Sequence, residues 1–246
     1  EFSVVLACLF FFSSGGRHTS ADRDWSSDVC SSDLLNQLTK AVNAGIMQPT
    51  IYIALGRVAQ MADTIKLGET DVLVVIDVQK DFCAGGALAV ENSEAIVEPI
   101  NGLLDVFKNV VISPDWHPVG HKSFYTSHEG KQPFETTTMP YGEQILWPEH
   151  CIAGTPGAEF HADLDTSKAK AVIRKGTNVE IDSYSTFFEN DRKTPTGMAG
   201  YLRQNGFKRI FLSGIATEYC VGFSATDGVE EGFDVFVITD ATASFG

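Results

Sequence analysis

From residue 72 onward, short apolar runs alternate with longer stretches in which apolar positions recur at helical spacing. The runs are residues 72–76, 110–112, 171–173, 210–212 and 235–238, rich in β-branched side chains. Runs of that length and composition read as buried strands. Between the first two, residues 93–107 show helical periodicity with Ser93 as the expected N-cap. Residues 196–205 and 217–231 read as further helices, the second closing at Gly232 in a C-cap position. Strand and helix in alternation predict βαβ units, hence an α/β fold: a mainly parallel sheet with helices on both faces.

Each strand run leads into a polar or reactive residue: Asp77, Asp115, Lys175, Ala216 with Cys220 soon after, and Asp240. In an open parallel sheet the carboxyl ends of the strands border one crevice, so chemistry is expected there. Singly, Asp77 could be a turn residue, Lys175 a solvated edge cation and Cys220 an inert core filler. Together they form a thiol near a helix N-terminus, a cation that favours the thiolate and a carboxylate able to take the proton. A second group lies in the segment DWHPVGH. Asp115 and His117 project to one side of an extended chain, and Gly120 lets the backbone fold back to bring His121 toward them. His150, in WPEHC, can supply a further ligand. Imidazole and carboxylate donors suit zinc, iron or manganese alike. His128 and His161 lack such a setting and read as ordinary polar residues, and Cys83 and Cys151 as structural thiols.

The first sixty residues read differently. Residues 1–12, EFSVVLACLFFF, have a short signal-like apolar core, and Val5-Leu6-Ala7-Cys8 loosely resembles a lipoprotein cleavage site, but no basic residue precedes it. Residues 11–34 carry no apolar period and resemble translated sequencing-adapter sequence, which would leave Cys8, His18 and Cys30 without a role. Residues 34–60 allow a helix broken at Pro49. The expected division is a non-native or disordered extension over 1–60 and one domain over 61–246.

Composition narrows the function. A formal net charge of −14 repels polyanions, and no basic stripe interleaved with aromatics is present, so nucleic acid is not an expected partner. No apolar run approaches the ~20 residues that span a bilayer. Five cysteines without regular spacing argue for reduced thiols and a cytoplasmic setting. The glycine pairs at 85–86 and 154–157 match neither dinucleotide nor P-loop spacing, so no nucleotide cofactor is expected.

Five segments carry a family resemblance: IDVQKDFCAGGALAV, SPDWHPVGHKSF, LWPEHCIAGTPGAEF, RKGTNVEIDSYSTFFEN and LSGIATEYCVGFSATD. In order and spacing they resemble the nicotinamidases of the isochorismatase-like cysteine hydrolase family, over about residues 71–246. The resemblance implies a three-layer αβα, Rossmann-like fold and deamidation of nicotinamide, or of pyrazinamide, with a homo-oligomer allowed. It implies a triad of Asp77, Lys175 and Cys220, and one divalent metal on Asp115, His117, His121 and His150. It also implies Phe82 and Trp147 around the substrate ring, and an oxyanion hole from the amides of Ala216 and Cys220 beside a cis Ile215–Ala216 bond. The DWHPVGH segment argues against metal-free relatives that act on ureido or carbamoyl groups. The family continues past ITDATASFG through another helix and an edge strand, so the fifth strand is expected to be less covered, and an inactive fragment is the alternative outcome.

Overall fold

The computed structural model describes residues 65–245 together with two strands near the N-terminus, β1 (Ser3–Val4) and β2 (Leu9–Phe12). The expectations for His18, Cys30 and the helix over 34–60 lie outside the described residues. The remaining strands are β3 (Ile65–Lys66), β4 (Asp71–Ile76), β5 (Val110–Ser113), β6 (Thr136–Met139), β7 (Gly142–Ile145), β8 (Ala171–Val172), β9 (Arg209–Ile215) and β10 (Asp234–Ala243). The main sheet has the order β2-β10-β9-β4-β5-β8. All neighbours in it are parallel except β2, which runs antiparallel along β10. The outer edge of the fifth expected strand is therefore paired, contrary to the expectation of a less covered edge.

The three-layer arrangement follows from the two-residue period of the central strand. In β4, Leu73 and Val75 face a core that includes Ile100 and Leu104 of helix α1 (Val97–Val106). Val72, Val74 and Ile76 face the opposite core, built with Met198 and Leu202 of α2 (Met198–Gln204) and Ala225 of α3 (Gly222–Glu230). Every residue of β4 is buried. Fully burying a Val, Leu or Ile side chain is worth about 1.5–3 kcal/mol, so this strand anchors both layers.

Several local expectations need correction. Ser93 begins a short 3-10 turn (Ser93–Ile96) and is not an N-cap; Asn92, at φ 57°, precedes it without a side-chain cap bond. The stretch read as one helix from Thr217 opens with a π turn, Thr217–Val221, and becomes α-helical at Gly222. Wide turns of this kind concentrate at functional sites. β10 continues past residue 238, with a register shift between Val237 and Thr242, so Asp240 sits exposed in the irregular stretch of the strand rather than at its end. The β6–β7 hairpin, a separate two-stranded sheet, was not anticipated. Among the described residues no helix is long and apolar enough to cross a membrane.

Where β4 and β9 run side by side, Gly214 has φ 117°, and a Cβ there would lie 1.9 Å from the Ile76 carbonyl oxygen. Both the backbone conformation and the close approach require glycine. Gly214→Ala is expected to destabilise the domain by more than about 3 kcal/mol in urea unfolding; a variant as stable as the parent would show that the two strands can separate freely at this point.

Candidate active site

Four strand ends deliver the side chains. Asp77 follows β4 directly in a left-handed conformation, φ 55°, with its N–H donating to Ser113 O at 3.1 Å. Such a conformation is costly for a residue with a Cβ and persists where the surroundings impose it. Asp115 lies two residues past β5 and is clamped by the buried Gln79, whose amide donates to Asp115 O and whose Oε1 accepts from Asp115 N, both at 2.8 Å. Lys175 is tied to the same segment: its N–H donates to Pro114 O, and its carbonyl accepts from Trp116 N, each at 3.0 Å. Cys220 rides on the π turn after β9, just past a cis Ile215–Ala216 bond.

These elements converge on the ammonium of Lys175, which is 1% exposed. Its Nζ lies 2.5 Å from Asp115 Oδ1, 2.8 Å from Asp77 Oδ2, 3.2 Å from Ser183 O and 3.3 Å from Cys220 Sγ. The contact with Asp77 is a charge contact rather than an aligned hydrogen bond, since neither Asp77 oxygen has a hydrogen-bond partner. Burial pushes the Asp77 carboxyl up to about 7, helped by the charge of Asp115 and opposed by Lys175. Burial alone would raise Asp115 too, but Lys175 and His117 outweigh it and hold that carboxyl well below its ordinary range. Burial would strip the proton from Lys175, yet Asp115 and Asp77 hold it on. The Cys220 thiol is pushed well up by burial and by the two carboxylates, against the pull of Lys175. At neutral pH the resting arrangement is thus a thiol, a firmly charged ammonium and an Asp77 carboxyl poised near neutrality.

Asp115 belongs to both groups that the sequence separates. Its Oδ2 faces the imidazoles, 3.4 Å from His117 Nε2 and 3.7 Å from His150 Nε2. The expected four ligands fall into two overlapping triples sharing His117: Asp115, His117 and His150, and His117, His121 and Asp182, the donor atoms in each within 4.8 Å of one another. The donor set fits a divalent ion. His117 Nδ1 is 3.1 Å from Gly176 O and His150 Nδ1 is 2.7 Å from Pro148 O, so each ring donates there and leaves Nε2 as a lone pair. His121 Nδ1 is 2.7 Å from Ser123 Oγ, while its buried Nε2 has no protein partner, as a metal ligand would not. Burial lowers His121 to about 4, which keeps the ring neutral and able to coordinate. Gly176, at φ 65°, holds the ring of His117 from behind; a Cβ would meet His117 Cε1 at 2.4 Å.

Beside these groups opens a cavity toward solvent. Phe82 and Trp147 both line it, along with Ala216 and Cys220. The sequence reading missed Leu88, Tyr184, Tyr219 and Phe245, which complete an apolar and aromatic wall, and Asp182, which sits beside the imidazoles. Tyr184, Tyr219 and Asp182 fall inside quoted motifs, but nothing in their spacing separates them from ordinary core positions. Phe245 stacks against Trp147 at 6.2 Å between centroids. His128 and His161 make only local contacts with Lys122 O and Asp163 N, and Cys83 and Cys151 are buried free thiols.

Comparison with known proteins agrees with this architecture. The isochorismatase domain matches residues 71–246, and the chain belongs to that family. The relatives to which it is similar include nicotinamidases of bacteria and yeast. The nicotinamidase of Acinetobacter baylyi is 48% identical over 177 residues, covering 72% of this chain and 83% of that protein. The nicotinamidase and pyrazinamidase of Acinetobacter baumanii superposes with a TM-score of 0.71 at 48% identity, over 74% of this chain and 87% of the other. The zinc complex of the Pyrococcus horikoshii pyrazinamidase gives a TM-score of 0.58 at 35% identity, over 72% and 88%.

Removing the ammonium leaves two buried carboxylates facing each other. Lys175→Met is expected to cost about 3–5 kcal/mol in urea unfolding at pH 8. Without the cation both carboxyl pKa values rise above their unfolded values, so the penalty is present above those raised values and shrinks as pH falls through them. A Met variant of undiminished stability at pH 8 would contradict the arrangement.

Proposed function

We propose that this chain hydrolyses nicotinamide to nicotinate and ammonia, with Cys220 as the nucleophile. The observation that carries the reading is a thiol 3.3 Å from a buried ammonium that also contacts Asp77, on the floor of a cavity walled by aromatic rings. A flat aromatic amide suits such walls. The nicotinamidases to which the chain is similar support the same substrate, and the pyrazinamidase relatives support pyrazinamide as a second one.

The chemistry follows from the placement of the groups. With the ring between Phe82 and Trp147, the carboxamide carbon lies over Cys220. Asp77 takes the thiol proton, and Lys175 stabilises the emerging thiolate without giving up its own proton. The sulfur adds to the carboxamide carbon, and the backbone amides of Ala216 and Cys220 receive the developing oxyanion. Asp77 then hands its proton to the departing nitrogen, which leaves as ammonia, and a thioester remains on Cys220. Water, losing a proton to Asp77, hydrolyses the thioester to nicotinate and frees the thiol. Asp115, His117, His121 and His150 would hold a zinc, iron or manganese ion, which would supply Lewis-acid chemistry toward a ring nitrogen or a water. The chemistry requires no nucleotide cofactor. The buried unpaired thiols of Cys83, Cys151 and Cys220 suit a reducing, cytoplasmic setting. The catalytic unit is residues 61–246.

Purified protein is expected to release ammonia from nicotinamide, and Cys220→Ala is expected to lower the rate by about a thousandfold or more while leaving unfolding behaviour unchanged. Equal release by the variant would rule out this nucleophile. The pH dependence has a definite sign. Asp77 must be ionised to accept the thiol proton, and its carboxyl sits at about 7. kcat/KM for nicotinamide is therefore expected to fall about tenfold per pH unit below that value, whereas a profile flat down to pH 5 would exclude Asp77 as the base.

A further inference from the structure

The β6–β7 hairpin lies outside the main sheet, and most of its residues face solvent, yet Gln144 on β7 is only 1% exposed. A buried carboxamide on a hairpin of this kind needs partners for both ends, and two of its partners here, Asp182 and Tyr184, line the cavity. Oε1 accepts from Tyr141 OH at 3.2 Å and Asn190 Nδ2 at 3.1 Å. Nε2 donates to Ile145 O at 2.8 Å, to Asp182 Oδ2 at 3.0 Å and to Tyr184 OH at 3.0 Å. The Asn190 amide nitrogen on one side, and a carbonyl and a carboxylate on the other, fix which end of the Gln144 amide is nitrogen. The Tyr184 hydroxyl accepts a second hydrogen bond, from the indole Nε1 of Trp147 at 3.1 Å. Asn190, held by Gln144, in turn accepts from Tyr184 N at 3.0 Å.

We infer that Gln144 is a positioning residue for the aromatic cavity. Without touching the cavity, it holds the Tyr184 hydroxyl where that oxygen can capture the Trp147 indole, and so sets the angle and spacing of two of the cavity's walls. It also donates to Asp182 beside the imidazoles. Its influence is expected on ring binding rather than on the bond-breaking steps, because the Gln144 hydrogen bonds run to Tyr184 and Asp182 and not to Cys220, Lys175 or Asp77. The inference deepens the nicotinamide reading and rests on it for substrate, although the positioning itself can be read without substrate.

The experiment is a double-mutant cycle of Gln144→Leu and Tyr184→Phe, with Gln144→Glu as a second variant that keeps an acceptor for Tyr141 and Asn190 but loses both donor hydrogens. Two quantities are read: the indole N–H resonance of Trp147 in the free enzyme, assigned by Trp147→Phe, and the separate kcat and KM for nicotinamide. Gln144→Leu and Gln144→Glu are each expected to shift the indole resonance and to raise KM about tenfold while kcat stays within about threefold, the loss of one buried hydrogen-bond arrangement. In the Tyr184→Phe background the further effect of Gln144→Leu on both quantities is expected to disappear. A merely structural role would lower kcat through loss of folded enzyme and leave KM alone. An unmoved indole resonance, an unchanged KM, or an equal effect in both backgrounds would overturn the inference. If the parent enzyme does not turn over nicotinamide, the substrate reading fails separately, and the indole resonance across the cycle still decides the positioning role.

Discussion

The contact on which this site depends is that between one buried ammonium and two buried carboxylates. Withdrawing the Lys175 charge from water costs several kcal/mol, and nothing in a hydrophobic cavity would offset that except opposite charge at close range. Asp77 and Asp115 provide it from the ends of adjacent strands β4 and β5, at 2.8 and 2.5 Å. With two carboxylates to one ammonium, the cluster carries surplus negative charge. Burial, reinforced by the charge of Asp115, drives the Asp77 carboxyl up to about 7, and burial with the two carboxylates keeps the Cys220 thiol protonated at rest. The surplus carboxylate charge favours a cation on the far side of Asp115, so the basicity that a nucleophilic thiol needs and the affinity that a metal ion needs come from the same buried cluster.

Geometry makes the sharing possible. Asp115 turns one oxygen to Lys175 and the other to His117 and His150, so the catalytic group and the imidazole group are one structure hinged on one carboxylate. Gln79 grips its backbone on both sides, and Gly176 lets the chain pass behind His117 at a distance no other residue would allow. The parallel sheet supplies the starting positions: four strands end together, and each releases one side chain into the same crevice.

Much of this was legible in the sequence because strand ends are legible. An apolar β-branched run followed at once by Asp, or by Arg-Lys-Gly, leaves little doubt about where the run stops, and five such ends in a parallel sheet must lie side by side. The family resemblance added the expected roles; Phe82 and Trp147 line one cavity, and the Ile215–Ala216 bond is cis. What the sequence hid depends on contacts far apart in the chain. That Asp115 bridges both groups is invisible without knowing how Lys175 approaches it. Tyr184, Tyr219 and Phe245 look like ordinary aromatics until the cavity they wall is present. The π turn at Thr217 and the β6–β7 hairpin were missed for a different reason: one preserves the apolar period of a helix, and the other is a polar stretch whose only buried side chain is a glutamine. Asp240 was misplaced because a register shift carries β10 beyond its apolar run.

The most direct test of the account is to mix the enzyme with nicotinamide, quench in acid before the steady state, and measure the mass of the intact protein and of its peptides. The account predicts a nicotinoyl increment that forms and decays at rates compatible with turnover, maps to the peptide containing Cys220 and is released by hydroxylamine as a hydroxamate. Turnover without any increment on Cys220, at quench times that resolve a single turnover, or with the increment on another residue, would contradict it.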